Sequence, residues 1–263
     1  MNSIAGVSGK VVVITGGNQG VGRAIALAFA EAGAIVAITA RTLLTLESTA
    51  AEIRGLGATC LPIRCDLTDE ESVSAMAGHV LSALGGVHTV VANAGIAGPT
   101  KPLQSISLEE WRECMAVDLD GVFLTFRAFI PSLVAQGAGS LIAVSSMTGK
   151  RPLENRTPYA AAKLGVIGLV RTLAVEVGQH GIRANSLVPG AVNGPRIERV
   201  IAGQAASRGV SAEVVRGELT TGSALRRMVD PEEVARACVF LASDASAGIS
   251  GEDLNVSAGM VMY

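Results

Sequence analysis

Three residues of the chain have the types and spacing needed to move a proton to or from a carbonyl oxygen. Tyr159 and Lys163 are four positions apart at the start of a predicted helix, and Ser146 follows an apolar strand thirteen positions before the tyrosine. Residues four apart lie on one face of a helix, so the phenol and the ammonium can point into one cleft. A neighbouring positive charge favours the phenolate form of tyrosine, and the serine can hold the same oxygen. The pattern therefore predicts an acid–base centre.

The same tyrosine–lysine spacing also arises by chance. In that interpretation the tyrosine begins a helix and the lysine lies in solvent, and neither has a chemical role. The elements around the three residues decide between the two interpretations.

Apolar, β-branched runs alternate with helical patterns along the chain. Strands are expected at 11–15, 34–39, 58–65, 87–93, 140–145, 181–189 and 252–257, and helices at about 21–32, 70–84, 108–134 and 231–243, with two more ending near 53 and starting near Tyr159. Strands separated by helices of about 10 to 20 residues indicate right-handed βαβ units. The sequence predicts an α/β protein with a parallel sheet of about seven strands.

The composition fits one domain over 1–263 and argues against several functions. Hydrophobic residues make up 49% and charged residues 17%, which suits helices packed on a parallel sheet. The formal charge of −2 gives no reason to expect nucleic acid or an anionic membrane as a partner. Four cysteines and three histidines show no ligand spacing, so we expect no metal site, no disulfide and a reducing compartment.

The N-terminal residues and the apolar runs bear on location. Residues 1–10 lack the apolar stretch of a signal peptide, and no run reaches the roughly 20 apolar residues that a membrane span needs. We expect a cytoplasmic protein. The irregular 190–229 segment should overhang the carboxyl edge of the sheet, where ligands of open α/β sheets bind, and is expected to form a substrate lid.

A glycine-rich turn follows the first strand directly. In TGGNQGVG, Gly16, Gly20 and Gly22 stand at the start of the first predicted helix. Glycines there let backbone N–H groups approach a pyrophosphate at the helix N-terminus. The spacing is not the G-x-G-x-x-G of the standard fingerprint, and a plain βα turn in a glycine-rich chain is the alternative.

Taken together, these motifs resemble those of the short-chain dehydrogenase/reductase family. The TGxxxGxG turn, NAG at 93–95, Ser146, Tyr159, Lys163 and PG at 189–190 occur in that order on the expected elements, and the resemblance covers about 10–259. It implies a doubly wound Rossmann-type sheet with helices on both faces. It also implies hydride transfer between NAD(P) and a carbonyl or secondary alcohol, in a homotetramer or homodimer.

The resemblance also implies roles for individual residues. Tyr159 is expected to be the general acid/base, Lys163 to favour its phenolate and hold the nicotinamide ribose, and Ser146, rather than the adjacent Ser145, to orient the substrate oxygen. The residues expected to contact the cofactor are Gly16, Asn18, Gln19, Gly20, Val21, Gly22, Arg41, Thr42, Asp66, Leu67, Asn93, Gly95, Tyr159, Lys163, Pro189, Gly190 and Val192. Asp66 should bind the adenine, and a helix N-cap near Asp69 is its alternative role.

The end of the second strand bears on the choice of cofactor. Where NAD enzymes carry an acidic residue for the ribose 2′-OH, this chain has Ala40, followed by Arg41 and Thr42. A guanidinium can pair bidentately with a 2′-phosphate, so NADP(H) is favoured over NAD(H). Gln19, where some NADP-preferring members have a second basic residue, argues against this, and Arg41 in solvent is the alternative.

Two positions depart from the family pattern. Asp118 stands where an asparagine usually helps to hold a water that links the lysine to solvent, and Gly194 stands where a threonine often binds the carboxamide. We hypothesise that Asp118 alters the proton relay and the pH profile without abolishing turnover.

The sequence thus predicts a short-chain NAD(P)-dependent enzyme acting on CH–OH groups of a small molecule, with an NADPH-dependent ketone reductase of the oxoacyl type favoured. One alternative is an NAD-dependent secondary alcohol or diol dehydrogenase, and another is a nucleotide-binding sensor without turnover. The 190–229 segment contains six arginines that suit either an anionic substrate group or a solvated helix. The uncharged stretches at 134–139 and 178–181 argue weakly against an acidic carrier protein as partner.

Overall fold

The computed structural model describes residues 6–263. The prediction that no signal segment is present falls partly on residues 1–5, which lie outside the described residues. Seven parallel strands form one sheet in the order β3-β2-β1-β4-β5-β6-β7. They are β1 (Val11–Thr15), β2 (Ile35–Ala40), β3 (Cys60–Arg64), β4 (Thr89–Ala92), β5 (Gly139–Val144), β6 (Ile182–Pro189) and β7 (Asp253–Val256). The predicted α/β sheet is confirmed.

Helices connect the strands. They are α1 (Gly20–Glu31), α2 (Leu43–Gly55), α3 (Glu70–Leu84), α4 (Leu108–Met115), α5 (Gly121–Gln136), α6 (Met147–Lys150), α7 (Thr157–Gly178), α8 (Pro195–Arg208), α9 (Ala212–Thr221) and α10 (Pro231–Ala242). Short 3₁₀ turns cover Leu103–Ser105 and Asp244–Ser246. None of the helices in residues 6–263 has both the length and the apolar character required to cross a bilayer.

The sheet is covered on both faces, as the doubly wound prediction requires. One core packs α1, α2 and α10 against the sheet around Phe29 and Ile38. The other packs α3, α5 and α7 around Phe126 and Phe129. Because both faces are dry, all five residues of β1 are buried, which explains why the strands appear as continuous apolar runs.

The strand order reverses beside β1, which pairs with β2 on one side and β4 on the other. The connections from these two strands leave in opposite directions, so a crevice opens at their carboxyl ends. The turn after β1 and the loop after β4 form its two sides. The topology therefore brings the glycine turn and the NAG sequence together.

The predicted helix over 108–134 contains an unexpected wide turn. A π-helical turn, Ala116–Asp120, separates α4 from α5, and Asp118 lies in it. Such turns occur inside helices without ending them, so the sequence pattern predicted one continuous helix and did not reveal the turn.

The 190–229 segment folds into α8 and α9. Their apolar residues form a small separate core in which Ile201 and Val215 pack with Met147 and Met260. Ser211 caps α9 by accepting from the Val214 N–H at 3.4 Å. Both helices lie beside the carboxyl end of the sheet, because Met147 follows β5 and Met260 follows β7.

Candidate active site

A cleft of about 500 Å³ opens at the carboxyl ends of the strands. It extends from the turn after β1 to the α8–α9 pair. The predicted residues that line it are Gly16, Asn18, Gln19, Gly20, Val21, Gly22, Arg41, Thr42, Asp66, Leu67, Asn93, Gly95, Ser146, Tyr159, Pro189, Gly190 and Val192. The cleft therefore collects nearly the whole predicted site, while Lys163 and Asp118 lie buried beside it.

Tyr159 and Lys163 lie on one face of α7, as their spacing predicts. The Lys163 Nζ lies 5.7 Å from the centre of the Tyr159 ring and donates to the Val144 carbonyl at 3.2 Å. Lys163 is only 2% exposed. This burial excludes the alternative of a solvated lysine, because a buried ammonium is costly unless it is paired.

Asp118 is the ionic partner of that lysine. Its Oδ1 lies 3.6 Å from the Lys163 Nζ and accepts the Ile96 N–H at 2.9 Å. Its Oδ2 accepts the Cys114 thiol at 3.4 Å, and burial together with this carboxylate raises the pKa of Cys114 to about 12. Asp118 thus joins α7, the β4 loop and the wide turn in one buried network.

The two adjacent serines after β5 have different partners. Ser145 Oγ donates to the Lys163 carbonyl at 2.7 Å, which ties β5 to α7. Ser146 caps the short α6 by accepting the Thr148 N–H at 3.2 Å, and its hydroxyl hydrogen remains available. The geometry agrees with the choice of Ser146 as the serine that meets a ligand, although β5 ends two residues before it rather than one.

The glycine turn leaves no room for a side chain at Gly22. A Cβ on Gly22 would lie 2.1 Å from the Gly16 carbonyl oxygen, and Gly16 itself has a φ of +66°. Asn93 holds the turn from the next loop, since its Nδ2 donates to the Thr15 carbonyl at 2.9 Å. The threonine hydroxyl accepts the Asn93 and Ala94 N–H groups at 3.0 and 3.1 Å, a role for Thr15 that the sequence did not indicate.

Asp66 lies at the far end of the cleft. Asp66 Oδ1 accepts the Thr68 N–H and hydroxyl at 3.0 and 2.8 Å, and the backbone bond is the main cause of its lowered pKa. Asp66 is not the N-cap of α3, because Asp69 takes that position and accepts the Glu71 N–H. The alternative role is therefore wrong.

Arg41 is exposed at the edge of the cleft. Arg64 Nε donates to its carbonyl oxygen at 3.3 Å, so a second guanidinium lies at the same corner. Sequence reasoning missed Arg64, because it occurs in β3 rather than in the glycine turn.

Arg156 is a further residue that the sequence did not single out. It lies just before α7, is 3% exposed, and its guanidinium carbon is 4.7 Å from the centre of the Tyr159 ring. Its Nη2 donates to the Ala97 carbonyl at 2.6 Å, and burial lowers the pKa of the guanidinium. No signal in the sequence marks it, because a single arginine just before a helix does not show whether it will be buried.

The six arginines of the 190–229 segment divide into two groups. Arg196, Arg199 and Arg208 line the cleft, whereas Arg216, Arg226 and Arg227 do not. Arg196 donates to the Gly95 carbonyl across the cleft. All six are exposed, so a solvated helix face remains an explanation for most of them, while the first group also lies where a ligand would pass.

The turn after β1 suits a dinucleotide phosphate. Gln19 precedes α1 in extended conformation and offers no capping hydrogen bond from its side chain, so N–H groups of the first turn remain unpaired by a cap. Helix N-termini carry partial positive charge and bind phosphates. The Thr39 hydroxyl, at the end of β2 in the same cleft, is buried and has no hydrogen-bond partner among residues 6–263.

Comparisons with known proteins agree with this geometry. A family model described as enoyl-(acyl carrier protein) reductase matches residues 16–261. The chain is 36% identical over 250 residues to the cis-4-hydroxycyclohexanecarboxylate dehydrogenase of Sinomonas cyclohexanicum, covering 95% of this chain and 96% of that protein. It is also 36% identical over 253 residues to the acetoacetyl-CoA reductase of a Synechocystis species, covering 96% of both.

Solved structures show the same similarity. A 7α-hydroxysteroid dehydrogenase, complexed with NADH and 7-oxo glycochenodeoxycholic acid, has a TM-score of 0.90 at 31% identity and covers 99% of this chain and 97% of that one. Sheet, cleft and relatives define a nicotinamide-dependent oxidoreductase of the Rossmann type. The chain belongs to the short-chain dehydrogenase/reductase family, whose members act on CH–OH groups.

Proposed function

We propose that the protein is an NADPH-preferring reductase of ketones, of the oxoacyl type, with Tyr159 as the general acid. One observation carries the proposal. Tyr159 lies in the cleft between the glycine turn and α8–α9, with the buried Lys163 beside its ring. A protein that only binds nucleotide has no need of a tyrosine placed beside a buried cation, which argues against a sensor.

Each residue then has a distinct task. The nicotinamide supplies the hydride when it is bound. Tyr159 gives a proton to the substrate oxygen during reduction, and Ser146 holds that oxygen through its free hydroxyl hydrogen. The Lys163 ammonium favours the phenolate that remains, and its own position is fixed by Asp118 and the Val144 carbonyl.

Residues around the adenosine end support the preference for NADPH. Ala40 offers no carboxylate to repel a 2′-phosphate, and Arg41 stands at the cleft edge with Arg64 beside it. Thr42 adds a hydroxyl at the same edge. Asp66 and Leu67 line the cleft where adenine would bind, and Gly194 leaves the carboxamide to the backbone at the start of α8.

An NAD-dependent secondary alcohol or diol dehydrogenase is the second candidate. It is favoured by the solved relative that was crystallised with NADH. The charge at Arg41 and Arg64 favours the first candidate, because an unmodified ribose has no anionic group for either guanidinium to meet.

Further proposals concern the domain organisation, the location and the assembly of the protein. We infer that 1–263 acts as one domain in the cytoplasm, with the 190–229 segment as its substrate lid, since α8 and α9 form one side of the cleft. The family resemblance implies a homotetramer or homodimer. Light scattering after gel filtration measures that state directly.

Titration of the purified protein with NADPH and NADH, followed by fluorescence and by turnover of a ketone panel, tests the proposal. We expect NADPH to bind at least about tenfold more tightly, or about 1.4 kcal/mol, and Arg41→Asp to reverse the order. Arg112→Asp makes the same change of charge on α4, away from the cleft, and should leave the order unchanged. Equal binding of both cofactors would refute the NADPH preference, and binding of neither would refute the enzyme assignment.

A further inference from the structure

Three buried polar atoms without a hydrogen-bond partner in residues 6–263 belong to two side chains that line the cleft. Within residues 6–263, Nε and Nη1 of Arg156 and Oε1 of Gln204 have no partner. Both side chains line the cleft, and they are 3% and 2% exposed. Leaving such groups unpaired costs about 1–3 kcal/mol each, and more for a charged group. Stability therefore does not explain them.

The two side chains belong to one wall. Gln204, on α8, donates from Nε2 to the Glu154 carbonyl at 2.6 Å, and Arg156 follows two residues later in the chain. That bond fixes the orientation of the amide, because a carbonyl can only accept. Oε1 is consequently presented as an acceptor, and the Arg156 guanidinium, which lines the same cleft, has unpaired donors at Nε and Nη1.

The charge around this wall is positive. Arg151 and Arg199 also line the cleft, and neither has a carboxylate partner among the described ion pairs. Glu218, a carboxylate of the same wall, is already held by Arg208 through two bonds of 2.6 and 2.7 Å. Arg151 and Arg199 are exposed to solvent, whereas Arg156 is buried, and the nearby Asp118 carboxylate makes no ion pair with it among the described contacts.

We propose that the substrate is an oxo or hydroxy acid whose carboxylate is bound by Arg156. The inference rests on the proposed function and names its substrate class. Arg156 lies against the ring of Tyr159, so the carboxylate it binds must be close to the reacting carbon rather than at the end of a long chain. Arg151 and Arg199 attract the anion at the cleft edge.

The test compares acids with their neutral counterparts. Short oxo acids, with two to four bonds between carbonyl carbon and carboxylate, are each paired with the methyl ester, and kcat/KM is measured for both with NADPH and NADH. In the wild-type protein we expect the acid of at least one pair to be preferred by thirtyfold or more. A hydrogen bond between charged groups contributes about 1.5–3 kcal/mol, and about 2 kcal/mol corresponds to roughly thirtyfold.

Substitutions of Arg156 test whether this residue causes the preference for the acid over the ester. Arg156→Met should bring acid and ester within threefold by raising the KM of the acid, while Arg156→Lys should restore part of the difference. Arg216→Gln removes an arginine of the 190–229 segment that pairs with Glu198 outside the cleft, and should change nothing. A preference that survives in Arg156→Met would overturn the proposal and leave Arg156 as a brace for the Ala97 loop.

Loss of all turnover in Arg156→Met is resolved by a measurement on the wild-type protein. Butanoate should inhibit ester reduction competitively, and butanamide should not; equal inhibition by the two overturns the proposal. If esters react and no acid is preferred, the inference fails while the reductase assignment stands. If no ketone or alcohol reacts with either cofactor, it is the proposed function that fails.

Discussion

Replacing Asp118 by asparagine removes one charge from the buried network while keeping its shape. Asparagine retains an oxygen for the Ile96 N–H, which Asp118 now accepts at 2.9 Å. The Asp118 Oδ1 lies 3.6 Å from the Lys163 Nζ, which lies 5.7 Å from the centre of the Tyr159 ring. The carboxylate is therefore at most ~9.3 Å from that ring, as the two distances require.

The effect on the reaction follows from that distance. At an effective dielectric constant of about 20, a unit charge ~9 Å away contributes about 1.8 kcal/mol, or roughly one pH unit. The Asp118 charge opposes the phenolate of Tyr159, so its removal favours the phenolate. In alcohol oxidation, where the phenolate accepts the proton, the rate should reach half its maximum about one pH unit lower.

The assay is kcat/KM for alcohol oxidation between about pH 5 and 10, with thermal unfolding to confirm that the variant is folded. Asp120→Asn is the matched control, because Asp120 lies in the same wide turn but is exposed. An unchanged midpoint, or one shifted to higher pH, would refute the reasoning, since it would mean that Asp118 does not act on Tyr159 as a charge. The lysine and Arg156 are unaltered in both variants.

Two further predictions concern the cofactor turn and the stability of the fold. Gly22→Ala places a Cβ 2.1 Å from the Gly16 carbonyl oxygen. We expect the variant to lose about 1–3 kcal/mol of stability and to bind the cofactor at least about tenfold more weakly. The control is Gly78→Ala, which adds a Cβ in open space on α3 and should not destabilise the protein. Unaltered binding by Gly22→Ala would contradict the phosphate site. Arg227 donates two hydrogen bonds to the Glu233 carboxylate and lowers its pKa from 4.5 to about 2. The pair therefore stabilises the folded state fully above about pH 4.5, and this stabilisation is lost as the pH falls through about 2. Glu233→Gln should lower the free energy of unfolding by about 0.5 kcal/mol at pH 7, a small value because the pair is exposed. The difference from wild type should vanish near pH 2. Denaturant titrations at the two pH values measure both differences, and an equal difference at each would count against the ion pair.

The sequence predicted the strands because they depend on local pattern, and most of the cleft residues followed from the resemblance to the family. Continuous apolar runs mark strands that are buried on both faces, and the glycines mark the one place where backbone must approach backbone. The ion pair of Asp118 with Lys163 followed from a family position. Arg156 and Arg64 did not follow, because their importance comes from contacts with Tyr159 and Arg41 that are formed only when distant elements pack. A single arginine in a sequence carries no sign of whether it will be buried.

The wide turn that contains Asp118 has a consequence for how this helix can change. A π turn holds one residue more than an α turn, and one residue corresponds to about 100° of rotation in an α-helix of 3.6 residues per turn. Deleting one residue between 116 and 120 would rotate the Phe126 and Phe129 side of the helix relative to the Cys114 side. The two parts of the helix therefore have different orientations about its axis. The orientation of the Phe126 and Phe129 side is set by the core, and that of the other side by the buried carboxylate of Asp118. Because the extra residue of the π turn separates the two parts, the orientation of one part can change without changing that of the other.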